Sequence, residues 1–119
     1  MTFVVADNDP ERLHSTGSLL SAAFPGSVLH LYKDPMLSAK CVLSHQVDAI
    51  FAEAQMQRVS GVTLLHALRA NYPKLPVFLL SDTDQYRKAA EEEDVTAYLT
   101  RPVTAEQLKR TVLRAREGQ

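Results

Sequence analysis

Hydrophobic and polar positions alternate along this chain with two different periods. Short continuous apolar runs, typical of strands buried on both faces, are separated by longer segments in which apolar residues recur every three or four positions. The apolar runs lie at residues 3–6, 28–32, 48–52, 77–80 and 97–99. Five predicted strands therefore alternate with five predicted helices.

Most of the predicted helices have a recognisable start and an apolar side. The capping signals are Asp9-Pro10, Asp34-Pro35, Ser60 and a capping box from Thr104 to Gln107. The residues expected to face inward are Leu13, Leu20 and Phe24; Met36, Leu37, Val42 and Leu43; Leu64, Leu65 and Leu68; and Leu108, Val112 and Ala115. The polar segment from Asp84 to about Asp94 predicts a weakly amphipathic fourth helix.

This regular alternation predicts an α/β fold made of βαβ units, with a parallel sheet covered by helices on both faces. Right-handed crossovers leave few topologies, and the flavodoxin-like strand order 2-1-3-4-5 is favoured. No linker or repeat interrupts the pattern, so residues 1–119 are predicted to form one domain, a (βα)5 three-layer sandwich. Whether the chain is a whole protein or part of a larger one stays open.

Composition narrows the classes of function. The chain has 119 residues, a formal net charge of −1 and one cysteine, Cys41. The near-neutral charge and the lack of a basic helix-turn-helix segment argue against direct nucleic-acid binding. No apolar stretch is long enough to cross a bilayer, and a single cysteine forms no intrachain disulfide, so a cytoplasmic location without membrane contact is expected. The sequence contains neither a GxGxxG motif nor a P-loop motif, so a nucleotide-binding site is not predicted.

Polar groups directly follow four of the five predicted strands. They are Asp7-Asn8-Asp9, Glu53, Ser81-Asp82 and Arg101-Pro102. In open parallel sheets the functional crevice lies outside the carboxyl ends of the strands, near the switch point of the topology. These groups are therefore predicted to meet in one site.

In order and position these groups resemble the receiver domains of two-component response regulators, the CheY-like family, over nearly the whole chain. Family members have an acidic pair after the first strand, a phosphoacceptor aspartate after the third, Ser or Thr after the fourth and Lys-Pro after the fifth. Gly61 fits the glycine that usually ends the loop after the acceptor. Tyr98 fits the aromatic residue three positions before the lysine. The resemblance implies a signalling module and not an enzyme.

The chain departs from the family pattern at several positions, which implies a degenerate "pseudo-receiver" without the phosphoacceptor aspartate. Glu53 stands in the acceptor place, Asn8 replaces one acid of the pair, and Arg101 replaces the lysine. The carboxylate of Glu53 is displaced by about one C–C bond, roughly 1.5 Å, and Asn8 offers only a neutral oxygen. Because Mg²⁺ prefers carboxylates, the family metal site at Asp7, Asn8 and Glu53 is expected to be absent or weak, and phosphoryl transfer to be impaired.

The planar fork of Arg101 can bind a carboxylate bidentately, so it is predicted to pair with Glu53 and imitate the family contact between aspartyl phosphate and lysine. Three other residues are candidate switch residues. Ser81 either caps the next helix or contacts Glu53, and Asp82 is exposed but able to compete for Arg101. Tyr98 is either part of the sheet packing or an aromatic side chain that changes rotamer with activation.

The favoured function is a receiver in two-component signal transduction that acts by protein contact, independently of aspartate phosphorylation. The alternatives are a scaffold or dimerisation module and a working phospho-receiver with unusual site residues. The expected partner is another protein or an attached output domain. Homodimerisation is expected to use the face of the fourth helix, fifth strand and fifth helix, where Lys88, Tyr98, Lys109 and Arg110 are placed. No cofactor is expected beyond weak Mg²⁺.

Overall fold

The computed structural model describes residues 1–118 as five strands alternating with five helices. The strands are β1 (Thr2–Ala6), β2 (Val28–Tyr32), β3 (Ala49–Glu53), β4 (Val77–Ser81) and β5 (Ala97–Thr100). The helices are α1 (Pro10–Ala23), α2 (Pro35–Ser44), α3 (Gly61–Asn71), α4 (Arg87–Glu92) and α5 (Ala105–Glu117). No helix within residues 1–118 has both the length and the apolar character needed to cross a bilayer.

All strand pairs are parallel, and the sheet order is β2-β1-β3-β4-β5. This confirms the predicted flavodoxin-like (CheY-like) topology. The chain reverses its direction of travel across the sheet after β2, so the switch point lies between β1 and β3. Loops that follow these two strands are therefore the ones expected to build a site.

The sheet separates two apolar cores, because successive side chains of a strand point to opposite faces. Val5, Phe51 and Leu80 belong to the core beneath α1 and α5. Val4, Ile50 and Leu79 belong to the core beneath α2, α3 and α4. Every residue of β3 and β4 is buried, which explains why these strands appear in the sequence as continuous apolar runs.

The predicted helix starts are present. The Asp9 carboxylate accepts hydrogen bonds from the amides of Glu11 and Arg12, and Pro10 is the first residue of α1. The hydroxyl of Ser60 accepts from the Thr63 amide, and α5 begins with the full Thr104–Gln107 capping box. Capping side chains satisfy amides that have no partner inside the helix, so they fix where each helix begins.

Two predictions about helices are wrong. The fourth helix covers only Arg87–Glu92 and not Asp84 to Asp94. In α2 the apolar side was misplaced: Met36, Leu37 and Leu43 are exposed, whereas Val42 is buried. The buried residues of α2 are Pro35, Ser38, Cys41 and Val42. Helix α2 therefore packs with Ser38 and Cys41 turned inward, and three large apolar side chains are left exposed.

Candidate functional site

The carboxyl ends of the strands bring two buried carboxylates to the same side of the sheet. Glu53 is the last residue of β3, and Asp7 follows β1 directly. Each continues the alternation of its strand on the face that α1 and α5 cover. The residue Asp7 is 2% exposed and Glu53 is 5% exposed. Burying a carboxylate is costly unless it is paired, so each of these two requires a cationic partner nearby.

The partner of Asp7 is Arg12, a residue of the first turn of α1 that the sequence analysis missed. Arg12 donates from Nε to Asp7 Oδ2 at 3.0 Å and from Nη2 to Asp7 Oδ1 at 2.9 Å. The backbone amide of Asp9 also donates to Oδ1, at 2.9 Å. Both oxygens of Asp7 are therefore occupied by N–H donors.

One signal in the sequence could have revealed Arg12. The first turn of a helix favours acidic side chains, because the helix dipole is positive at that end. A buried or half-buried arginine there needs a specific anion to offset the unfavourable position. Asp7 lies five residues earlier, at the end of the strand that leads into the helix.

Asn8 connects three loops. Its side-chain Nδ2 donates to the carbonyl oxygen of Lys33, after β2, at 2.8 Å. Its Oδ1 accepts a short hydrogen bond from the backbone amide of Gln57, in the loop after β3. The amide oxygen is thus used within the protein, and the role of Asn8 in the structure is to hold loops together.

Glu53 lies against Arg101, which follows β5. The atoms Arg101 Nη1 and Glu53 Oε2 are 2.8 Å apart. Oε2 is fully buried and receives no hydrogen bond of acceptable geometry, so this contact is an ion pair without a well-directed N–H. We name the set Asp7, Asn8, Arg12, Glu53 and Arg101 the strand-end pocket.

The predicted bidentate pairing of Arg101 with Glu53 is not formed. Instead, Arg101 Nη1 also lies 3.3 Å from Asp82 Oδ1, and Arg101 Nη2 lies 3.6 Å from Asp7 Oδ2. Arg101 therefore bridges three carboxylates and binds none of them bidentately. The exposed Asp82 competes with Glu53 for Nη1, as the sequence indicated. The bidentate pair of the pocket is Arg12 with Asp7.

The charge balance of the pocket depends on Arg12 as well as on Arg101. Asp7 and Glu53 against Arg101 alone leave one negative charge, but Arg12 supplies a second cation. Burial raises the pKa of Glu53 above its ordinary value, and nearby Asp7 adds to this, while Arg101 and Arg12 act in the opposite direction. The two buried carboxylates thus face two guanidinium groups, which also contact the more exposed Asp9 and Asp82.

The backbone around Glu53 depends on Gly61, the first residue of α3. A Cβ atom at position 61 would lie 2.3 Å from the carbonyl oxygen of Glu53 and 2.9 Å from the Cα of Ala54. The Gly61 amide donates to the carbonyl of Ala54 at 2.9 Å. Only glycine permits this close approach of α3 to the end of β3.

Ser81 and Tyr98 lie near the pocket but not in contact with Glu53. Ser81 Oγ accepts from the Thr83 amide at 3.2 Å, and no hydrogen bond within residues 1–118 joins it to Glu53. Ser81 shares the sheet face of Leu79, opposite to that of Glu53. It does not cap α4, whose N-cap is Tyr86. The Tyr98 ring is buried, not part of an exposed face.

Arg87 holds Tyr98 in this inward position. The hydroxyl of Tyr98 donates to the carbonyl of Thr83 at 2.7 Å. The guanidinium carbon of Arg87 lies 4.9 Å from the centre of the Tyr98 ring, a cation–π distance. Arg87 also contacts Asp84, through Nη2 and Oδ1 at 3.1 Å. The aromatic side chain is therefore fixed at both ends.

The residues of the pocket do not fit the Mg²⁺ ion that the resemblance implies. Mg²⁺ needs free, anionic oxygens in octahedral geometry. Both oxygens of Asp7 and the side-chain oxygen of Asn8 already accept hydrogen bonds from N–H groups. In the described part of the chain no three His, Cys, Asp or Glu side chains are grouped so as to hold a metal ion.

The fold and this pocket define a flavodoxin-like α/β domain with a charged site at its switch point. The chain belongs to the family described as response regulator receiver domain, whose profile matches residues 3–113. Receiver domains are signalling modules of two-component systems, not enzymes, and they interact with partner proteins or output domains.

Relatives with curated sequences are response regulatory proteins of Vibrio species. The chain is 29% identical over 114 residues to an uncharacterised one from Vibrio vulnificus, a match covering 96% of this chain and 47% of the relative. One from Vibrio cholerae is 37% identical over 67 residues, 56% of this chain and 28% of the relative. The chain spans less than half the length of these relatives.

Solved structures share the fold. The signal receiver domain of an HD-domain-containing protein from Pseudomonas fluorescens superposes with a TM-score of 0.85 at 24% identity, covering 98% of this chain and 94% of that one. The receiver domain of a sensor histidine kinase from Pseudomonas aeruginosa gives 0.84 at 17% identity, covering 95% and 94%. That structure has a magnesium ion coordinated in its active-site cleft.

Proposed function

We propose that this domain is an atypical receiver that transmits its signal by protein contact, independently of aspartate phosphorylation, with Glu53 in the phosphoacceptor place. The observation that carries this proposal is the ion pair between the buried Glu53 and the partly exposed Arg101, whose Oε2 and Nη1 atoms are 2.8 Å apart. A phosphoryl donor would have to enter a pocket whose carboxylates are already neutralised by arginines.

The chemistry of glutamate supports a constitutive state. Glu53 supplies one negative charge and two oxygens, where a phosphorylated aspartate supplies up to two charges and three oxygens. The Glu53–Arg101 contact takes the place of the family contact between aspartyl phosphate and lysine. The imitation is incomplete, since Arg101 is shared with Asp7 and Asp82.

The length of the relatives supports an attached output domain or a protein partner as the receiver of the signal. The matched Vibrio proteins are more than twice as long as the aligned part. On this chain, the exposed residues Lys88, Lys109 and Arg110 of α4 and α5 are placed to contribute to a binding face. Tyr98 contributes from below this face, through its contact with Arg87.

A working phospho-receiver is the main alternative, and the retained Ser81, buried at the end of β4, favours it. Incubation with acetyl phosphate and Mg²⁺, followed by intact mass measurement, separates the two. We expect no stable gain of a phosphoryl group. The Pseudomonas aeruginosa receiver domain, whose structure has magnesium in its active-site cleft, is treated in the same way for comparison. A gain of one phosphoryl group that disappears in the Glu53→Gln variant would overturn the proposal.

The second alternative is a scaffold or dimerisation module, for which the exposed basic residues of α5 are the supporting observation. Light scattering across a range of protein concentrations measures the oligomeric state. A dimer that is lost in the Lys109→Glu, Arg110→Glu double variant, yet unchanged in Glu53→Gln, would favour the scaffold. Under our proposal the Glu53→Gln change alters the interaction with the output domain or partner.

A further inference from the structure

The strand-end pocket already contains a cation bound to Asp7, the buried acid after β1. Arg12 is the only side chain that binds both oxygens of Asp7 among residues 1–118, at 3.0 and 2.9 Å. We propose that Arg12 is the resident cation of this pocket. Its guanidinium occupies the positions that a divalent metal ion would take on Asp7, and its removal opens a metal site.

The attachment of Arg12 makes it a strong competitor for the acid. It belongs to a helix whose start is fixed by the Asp9 cap and by Pro10. The Asp9 amide also donates a hydrogen bond to Asp7, so the short segment between Asp7 and Arg12 is held in place by its own hydrogen bond. A group held in place by the chain loses little freedom on pairing, whereas an ion from solution must displace it and shed tightly bound water.

The protonation of Arg12 does not vary under ordinary conditions. Its hydrogen bond with Asp7 raises the pKa of the guanidinium above an already high value, and the nearby Glu53 acts in the same direction. The positive charge is thus permanent. A metal ion that approached Asp7 would meet this charge at contact distance.

The positions of Arg101, Asp7 and Glu53 indicate what the loss of Arg12 would leave in the pocket. Arg101 lies 2.8 Å from Glu53 and 3.6 Å from Asp7, so the two acids stand on either side of one guanidinium group. Glu53 Oε2 is buried and receives no well-formed hydrogen bond. Without Arg12, the two acids exceed Arg101 by one negative charge, and Asp7 Oδ2 loses its hydrogen bond while Oδ1 keeps the one from the Asp9 amide. Carboxylate oxygens are the donor type that Mg²⁺ and Mn²⁺ prefer.

This inference concerns the same pocket as the proposed function and rests on it only for the expectation that the domain works without metal. Its test measures metal binding and stability, and not phosphoryl transfer. A receiver that takes up phosphate would overturn the proposed function alone, and a wild-type domain that binds Mn²⁺ at Asp7 would overturn the inference alone.

The test compares the wild-type domain with Arg12→Met, which keeps an unbranched apolar stem and removes the charge. Thermal unfolding is followed with EDTA and with millimolar Mn²⁺. In EDTA we expect the variant to melt below the wild type, because Asp7 loses its partner. Mn²⁺ is expected to raise the melting temperature of the variant by about 5 °C and leave that of the wild type unchanged.

The matched control is the double variant Arg12→Met, Asp7→Asn, which retains the shape of the site but lacks the carboxylate. It is expected to show no response to Mn²⁺. Equal responses of the single and double variants would overturn the inference, as would the absence of any response in Arg12→Met. If Arg12→Met is unfolded in EDTA, recovery of the fold with Mn²⁺ supports the inference and failure to recover it counts against it.

A second measurement uses the wild type alone. Mn²⁺ broadens the NMR signals of amides close to its binding site. We expect no selective broadening at residues 7–9 and 53 while Arg12 is present. Selective broadening there would show that a metal binds despite Arg12, and the inference would be wrong.

Discussion

Arg101 contacts Glu53 with one nitrogen, Nη1 to Oε2 at 2.8 Å, and turns its other terminal nitrogen toward Asp7 at 3.6 Å. One guanidinium group therefore links the ends of β1, β3 and β5. The link depends on a planar cation with several nitrogens, which a lysine cannot supply. The stability of this side of the sheet is thus expected to depend on the identity of residue 101.

Replacing Arg101 with lysine tests this dependence. A single ammonium group reaches one carboxylate and leaves the others less well paired, so we expect the free energy of unfolding to fall by about 1–3 kcal/mol. Urea denaturation measures it. The control is Arg116→Lys: Arg116 pairs with Asp48 at 3.3 Å on the surface, where such pairs contribute about 0–1 kcal/mol. Similar losses in both variants would contradict the bridging role.

The pKa of Glu53 predicts a pH dependence of stability. Because its pKa is raised in the folded state above the ordinary 4.5, the folded domain binds this proton more readily than the unfolded chain. The free energy of unfolding therefore declines as the pH rises from that ordinary value through the folded-state pKa. Glu53→Gln removes this decline, and we expect urea unfolding across this range to show a flatter profile than the wild type.

Asp84 provides a control with the opposite sign. Its hydrogen bond from Thr100 and those from Arg87 lower its pKa below the ordinary 3.8. Its contribution is present above that value and is lost as the pH falls through the folded-state pKa. Asp84→Asn should therefore alter the profile only at the acid end. An unchanged slope in Glu53→Gln above pH 4.5 would show that burial does not control Glu53.

Gly61→Ala tests the close approach of α3 to β3. The added Cβ would meet the Glu53 carbonyl oxygen at 2.3 Å, so the backbone must move. We expect a loss of about 1–3 kcal/mol, as for other overpacked sites, and a displacement of Glu53 from Arg101. Gly118→Ala is the control, since its nearest contact is 3.7 Å and a change within about 0.5 kcal/mol is expected. Crystal structures of both variants would show whether the strand end moves.

Tyr98→Phe tests the anchoring of the aromatic side chain. It removes the hydroxyl that donates to the Thr83 carbonyl at 2.7 Å, which we expect to cost about 1 kcal/mol. Tyr86→Phe is the control, because the hydroxyl of Tyr86 makes no hydrogen bond in residues 1–118. Denaturant unfolding provides the free energies. If both variants lose the same stability, the Tyr98 hydroxyl has no special role.

The sequence was sufficient for the topology because local and global signals agreed. Capping residues such as Asp9 and Thr104 fixed helix starts, and the apolar runs fixed the strands. It was insufficient for the rotation of α2, because counting apolar residues placed Met36 and Leu43 inward although they are exposed. Helix α4 was predicted too long, since a polar segment carries little periodic signal.

The pairings of Arg101 differ from the bidentate contact with Glu53 that the sequence predicted. Strand ends located Glu53 and Arg101, and the topology brought them together. The sequence could not assign which oxygen faces which nitrogen, because that depends on side-chain rotamers and on competition from Asp82. Arg12 was missed because only acidic and capping residues were considered as functional at the start of a helix. A cation in that position is the signal to search for in similar sequences.

Asn8 has a mechanical consequence. Its amide bonds the loop after β2 through Lys33 and the loop after β3 through Gln57, while its own backbone belongs to the loop after β1. The loops after β1, β2 and β3 are therefore joined to one another by one small side chain. Spreading any two of them breaks at least one hydrogen bond, at a cost of about 1 kcal/mol. A protein that binds and displaces one of these loops is therefore expected to displace the other two, and with them the ends of β1 and β3.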